Sequence, residues 1–115
     1  MYVYDRANLL AQDIKEMPDL KRYKELKEKI AQDEMTKNLI KNYKNKQFKA
    51  QSLMMAGEKV PDSDLEEIRK LGEVLFLNKD VAEYFAVEYR LQTVVSDIYK
   101  IIGEAVEFDT DFMEE

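Results

Sequence analysis

Apolar and polar positions along this chain recur in steps of three and four, and the longest such run lies towards its C-terminal end. From Asp80 to Phe108 the sequence reads DVAEYFAVEYRLQTVVSDIYKIIGEAVEF, with no proline and one glycine. Val81, Tyr84, Glu88, Leu91, Val95, Ile98, Ile102 and Ala105 fall on one seam, and only Glu88 among them is neither apolar nor aromatic. A helix of that length runs about 40 Å, further than one short neighbour can follow it. Val87, Val94, Tyr99 and Ile101 widen the stripe, so the spacing predicts more than one surface against this helix.

The same pattern predicts four helices before it. Residues 4–17 place Ala7, Leu10, Ile14 and Met17 on one face, and Pro18 ends that segment. Asp19 is expected to cap a second helix with Leu20, Tyr23, Leu26, Lys27 and Ile30 along its inner edge. The apolar phase shifts at Gln32-Asp33, where a break or kink is expected and Asp33 can cap a new start. From Glu34 to Ala56, Leu39, Ile40, Tyr43, Gln47, Ala50 and Met54 share a face, and Gly57 supplies the stop. After the loop from Gly57 to Pro61, Ser63-x-x-Glu66 has the form of a capping box before a helix expected to bury Leu65, Ile68, Leu71 and Leu75. Asp80 is expected to cap the last helix with Glu83 reaching back, and the acidic tail, about 108–115, is expected to fray.

The fold class that follows is all-α: an antiparallel helical bundle of about five helices, with long middle and C-terminal helices, in one domain spanning 1–115. The long apolar stripes exceed what the short helices cover, so a homodimer is expected to bury the remainder. Glu88, Arg90, Leu91, Val95, Ile98 and Ile102 are the candidate interface or register positions on the last helix.

Composition narrows the chemistry. The chain has no Cys and no His, which removes thiolate chemistry, Cys-ligated metals and the usual general base near neutral pH. Asp62-x-Asp64-x-Glu66-Glu67 and Asp109-x-Asp111 lack the spacing of an EF-hand loop and read as helix-start charge and solvated tail. No cofactor, no metal and no enzymatic activity are expected. The longest apolar run, Val74 to Leu77, is far short of a membrane span and reads as a buried turn of helix. The N-terminus lacks the features of a signal peptide, so a cytoplasmic location is expected.

Net charge is −6, unevenly spread: the stretch from Lys15 to Lys49 is basic, and everything after it strongly acidic. Between Met35 and Gly57 there are five Lys and no acid, with Lys37, Lys41 and Lys44 on one stripe and Phe48 following. Basic residues beside an aromatic can hold a nucleic-acid strand, but the chain's acidic excess disfavours that partner against a protein one. Glu88, on an apolar seam, needs a cationic or hydrogen-bonding mate from another helix, because Arg90 two residues on does not face it. Gln47 and Gln51, at the edge of the middle helix's buried face, are candidates for register-setting hydrogen bonds.

Several stretches taken together carry a resemblance. Tyr4-Asp5-Arg6-Ala7-Asn8 opens the chain, Ile30-Ala31-Gln32-Asp33 precedes the long middle helix, and Gln47, Gln51 and Gly57 punctuate it. Glu88-Tyr89-Arg90-Leu91 and Asp97-Ile98-Tyr99-Lys100-Ile101-Ile102 lie on the last. In these the chain resembles the YlbF/YmcA-like family of small helical bacterial proteins, most closely its YheA-type branch, departing from it at Gly103-Glu104-Ala105-Val106. The resemblance implies an all-helical, dimer-forming cytoplasmic accessory protein that acts by binding other proteins. It implies a link to competence, biofilm formation, sporulation or RNA processing. The cysteines tied to iron–sulfur binding in better-studied relatives have no counterpart here.

Overall fold

The computed structural model describes residues 1–107, and those residues form five helices: α1 (Tyr2–Lys15), α2 (Pro18–Ala31), α3 (Glu34–Met55), α4 (Asp62–Leu75) and α5 (Lys79–Val106). No strand occurs among the described residues. The fraying expected of 108–115 falls outside them.

The helix boundaries follow from local chemistry, in part by residues other than those expected. Asp33 caps α3 as its position suggests: its backbone is extended and its carboxylate accepts from the Thr36 amide at 3.4 Å and hydroxyl at 2.9 Å. Gly57 ends the same helix at φ 77°, a left-handed turn that costs glycine nothing. The Glu58 amide then donates to the Leu53 carbonyl at 2.9 Å and the Gly57 amide to that of Met54 at 3.1 Å, the paired bonds of a Schellman stop.

The other three expected caps are corrected. Pro18 is the first residue of α2, where its missing N–H is not needed, so Asp19 lies inside the first turn. Ser63 lies inside α4, whose cap position is Pro61, and Glu66 is drawn forward to Arg69 instead of back to an amide. Asn78 caps α5, its Oδ1 accepting from the Asp80 and Val81 amides at 3.0 and 3.4 Å. Asp80 and Glu83, released from capping, meet Lys29 at 3.1 Å and Arg22 at 2.7 Å on α2. In each case the helix starts a residue or two earlier than expected, and a cation within reach takes the carboxylate.

The joint at Gln32-Asp33 is a full break, and it folds α3 back along α2. The loop from Ala56 to Pro61 folds α4 back along α3 in the same way, and α2 lies antiparallel on the first half of α5. Leu26, Val81, Val87 and Leu75 are essentially sealed from water where these helices meet, with Ile30, Ile40, Tyr43 and Tyr84 around them. Tyr43, Phe76 and Phe85 meet edge to face or tilted, with centroids 5.3–6.3 Å apart, and tie α3 and the end of α4 to α5.

Coverage stops there. At 1.5 Å per residue α2 is about 21 Å long and α5 about 42 Å, so half of α5 extends past its neighbour. α1 touches chiefly α2 and contributes no buried residue. Leu65 and Met54, expected inside, are exposed, and the turn expected to be buried from Val74 to Leu77 is buried only at Leu75: Val74 is exposed within α4, and Phe76 and Leu77 lie past its end. The molecule measures 46 × 43 × 16 Å with a radius of gyration of 18.4 Å. A compact chain of this length would have about 13 Å.

Candidate functional site

Three surface grooves converge on one polar cluster. Tyr23 of α2, Lys44 of α3, and Tyr84 and Glu88 of α5 stand together where the three helices meet. Glu88 Oε2 accepts from Lys44 Nζ at 2.6 Å and from the Tyr23 hydroxyl at 2.8 Å. Lys44 Nζ also donates to the Tyr84 hydroxyl at 2.8 Å and sits 4.9 Å from the centroid of that ring. The two phenols stack at 5.1 Å with their hydroxyls 3.3 Å apart. Glu88 thus finds its mate on another helix of its own chain, with its side chain 17% exposed.

The electrostatics of the cluster favour the ionised form of Glu88. Burial pushes the Glu88 carboxyl up, but hydrogen bonds from Lys44 and Tyr23 and the nearby ammonium charge outweigh it, holding the pKa below the ordinary glutamate value. Burial, first of all, pushes Tyr23 and Tyr84 upward from the usual phenol value. An ionised carboxylate clamped between phenols that keep their protons has nothing poised to transfer one near neutral pH. What the arrangement can do is fix three helices in one register.

Ion pairs at the rim extend the register. Arg90 does not face Glu88; its guanidinium grips Asp19 with two bonds of 3.0 and 3.1 Å. Arg22 holds Glu83 with two of 2.7 Å, and Lys29 holds Asp80. These pairs are solvent-exposed and add little stability each, and all three join α2 to α5 in their antiparallel setting.

The remaining candidates separate. Lys44, Gln47, Phe48 and Gln51 line a groove of about 400 Å³ between α3 and α5, opposite Phe85 and Gln92. Gln47 and Gln51 are exposed and form no side-chain hydrogen bond among the described residues, and Phe48 is 73% exposed. Lys37 and Lys41 line a different groove, between α2 and α3. The stripe expected as one basic face therefore splits at Lys44, whose ammonium is committed to Glu88. On α5, Leu91 and Ile98 are half-buried, while Val95 and Ile102 are exposed beside Tyr99, Ile101 and Val106. The helical spacing marks Tyr23 and Tyr84 as seam residues only and carries no sign of where their hydroxyls go. The available signal was that a buried phenol needs a partner, and Glu88 lies one turn from Tyr84.

Comparison with known proteins defines the class. Residues 3–107 match the family described as "Control of competence regulator ComK, YlbF/YmcA". The chain is 41% identical over 106 residues to a UPF0342 protein of Caldicellulosiruptor bescii, covering 92% of this chain and 89% of that one. It is 36% identical over 107 residues to another from Halothermothrix orenii, covering 93% and 91%. Two solved structures share the fold: a protein of unknown function (DUF964) from Bacillus stearothermophilus, and Bacillus subtilis RicA in complex with RicF. The first superposes with a TM-score of 0.76 at 19% identity, covering 93% of this chain and 94% of that one. The second does so with a TM-score of 0.59 at 22% identity, covering 92% and 94%. The chain belongs to the YlbF/YmcA family of helical regulatory proteins.

Proposed function

We propose that this protein is a non-enzymatic adaptor that works by binding proteins, and that its first partner is a second copy of itself. The observation that carries this reading is the uncovered apolar surface of α1 and the C-terminal half of α5. Tyr2, Val3, Tyr4 and Leu9 on the one, and Val95, Tyr99, Ile101 and Ile102 on the other, lie in water in the isolated chain. Patches of that extent are a liability unless something covers them.

The area supports a second copy as the cover. The chain exposes 9531 Å², against about 6,600 Å² for a compact monomer of its mass. Residues 108–115 could supply no more than about 1,500 Å² of the difference even if wholly unfolded. The rest, about 1,400 Å² on each chain and so about 2,800 Å² for a pair, is of the size that obligate homodimers bury. The family's tie to competence control, and RicA's presence in a complex with RicF, support a regulatory protein–protein role in which this dimer engages a further protein.

The test is mass in solution. Light scattering should give twice the chain mass for the unmodified protein and the chain mass for Val95→Asp, with helicity by circular dichroism unchanged. Val95 is exposed within its own chain, so the charge disturbs the pairing of chains and not the fold. A monomeric wild type, or an undiminished dimer in Val95→Asp, would sink the reading.

A further inference from the structure

The groove between α2 and α3 combines features found together nowhere else on the molecule's described surface. It encloses about 310 Å³, with buried Ile30 and Ile40 at its base and Tyr23 and Tyr84 closing the end nearest α5. Its charged lining is Lys27, Lys37, Lys41 and Lys44, without a carboxylate. Lys44 is neutralised by Glu88, whereas the other three have no ion-pair partner among the described residues. An apolar base edged with unpaired cations fits an acidic segment carrying a large apolar side chain.

Two stretches of the chain have that composition; Asp62 to Glu67 is held in α4 with Glu66 paired to Arg69 and Glu67 to Lys46, which leaves the C-terminal one. Residues 108–115, FDTDFMEE, hold Asp109, Asp111, Glu114 and Glu115 with Phe108 and Phe112, and no cation. It cannot serve its own groove. Glu107 lies 23 residues beyond Tyr84 along α5, about 35 Å of helix, and eight extended residues span at most about 28 Å. A second copy removes the difficulty. Pairing the stretch from Leu91 to Ile102 with itself across a two-fold axis perpendicular to the helix runs the two α5 helices antiparallel. The midpoint of that stretch then sets Glu107 of one chain level with Ala86 of the partner subunit, two residues from the groove's Tyr84 wall.

We propose that residues 108–115 of one copy dock in the α2–α3 groove of a second copy, a phenylalanine seated over Ile30 and Ile40 and the acids meeting Lys27, Lys37 and Lys41. The inference rests on the dimer reading and gives the tail a function within it: the exchanged tails clasp the two chains and occupy a basic groove that an external acidic ligand would otherwise reach.

The chain contains no tryptophan, so Phe112→Trp in the full-length protein reports on the tail alone. Its emission should lie to the blue of the peptide 108–115 carrying the same substitution, at concentrations where light scattering shows a dimer. Adding Lys37→Glu and Lys41→Glu, or raising the salt, should return emission to that of the free peptide. Asp109→Lys with Asp111→Lys in the same tail should restore the blue shift in the Lys37→Glu, Lys41→Glu background. A dimer with a solvated indole overturns the docking and leaves the dimer reading intact. A monomer at every concentration removes the dimer reading, and with it docking in trans. A blue shift indifferent to the lysines, or one that survives dilution to monomer, overturns the docking as drawn. A solvated indole combined with salt-sensitive binding of a short RNA or an acidic peptide at Lys37 and Lys41 assigns the groove to another occupant and overturns it as well.

Discussion

Replacing Glu88 by leucine removes the acceptor on which Tyr23 and Lys44 converge and leaves the Lys44 ammonium facing two aromatic rings. The side chains of Glu88 and Lys44 are 17% and 36% exposed, so the pair stands between two regimes. Exposed ion pairs contribute about 1 kcal/mol at most, whereas stripping one partner from a buried pair costs about 3–5 kcal/mol. Lys44 can still turn towards water, which places the cost of Glu88→Leu near 2 kcal/mol. At roughly 4 °C per kcal/mol for a chain of this size, the melting temperature should fall by about 8 °C. Glu88→Gln keeps one acceptor and loses only the charge, so about half that loss is expected. Adding Lys44→Met to Glu88→Leu removes the stranded cation, and the double variant should recover part of the loss, a coupling of about 1 kcal/mol.

The pH dependence has a definite sign. The Glu88 pKa in the folded chain is held below the ordinary value of 4.5, so its contribution is whole above that value and is lost as pH falls through the lowered one. The melting difference between wild type and Glu88→Gln should therefore hold constant from neutral pH down to about 5 and close in more acid solution. Melts are compared at one protein concentration, since any dimer ties melting to mass action. A Glu88→Leu variant that melts with the wild type, or a double variant whose loss is the plain sum of the singles, would refute this account of the cluster.

Two further expectations concern α3. Gly57→Ala should cost about 1 kcal/mol by chemical denaturation, entirely through the left-handed backbone at φ 77°, because an added Cβ meets nothing within 4 Å; unchanged stability would show that the stop does not depend on glycine. Changing Lys37, Lys41 and Lys44 together to glutamine tests the nucleic-acid alternative. We expect no appreciable affinity of the unmodified protein for RNA or DNA near physiological salt, and a salt-sensitive affinity abolished by the triple change would reverse the preference for protein partners.

Much of the architecture was written into local pattern. The three- and four-residue spacing determined five helices in order, since that periodicity is a property of each helix by itself. Asp33 and Gly57 set the ends of α3 because a cap and a left-handed stop involve atoms only a few residues apart. Family membership was legible too, in short motifs spread over nearly the whole chain. The expected caps failed where a carboxylate had a choice: Asp19, Asp80 and Glu83 look like capping residues until α2 and α5 are side by side, when Arg90, Lys29 and Arg22 compete for them. Glu88 announced its need of a mate, but Lys44 could be identified only when the break at Gln32-Asp33 had turned α3 back towards α5. That α5 outruns a short neighbour was legible in its length, but the point along the seam where cover ends was not. Val81 and Ile102 carry the same pattern in one dimension, and only the length of α2, laid against α5 in three, decides which of them is buried.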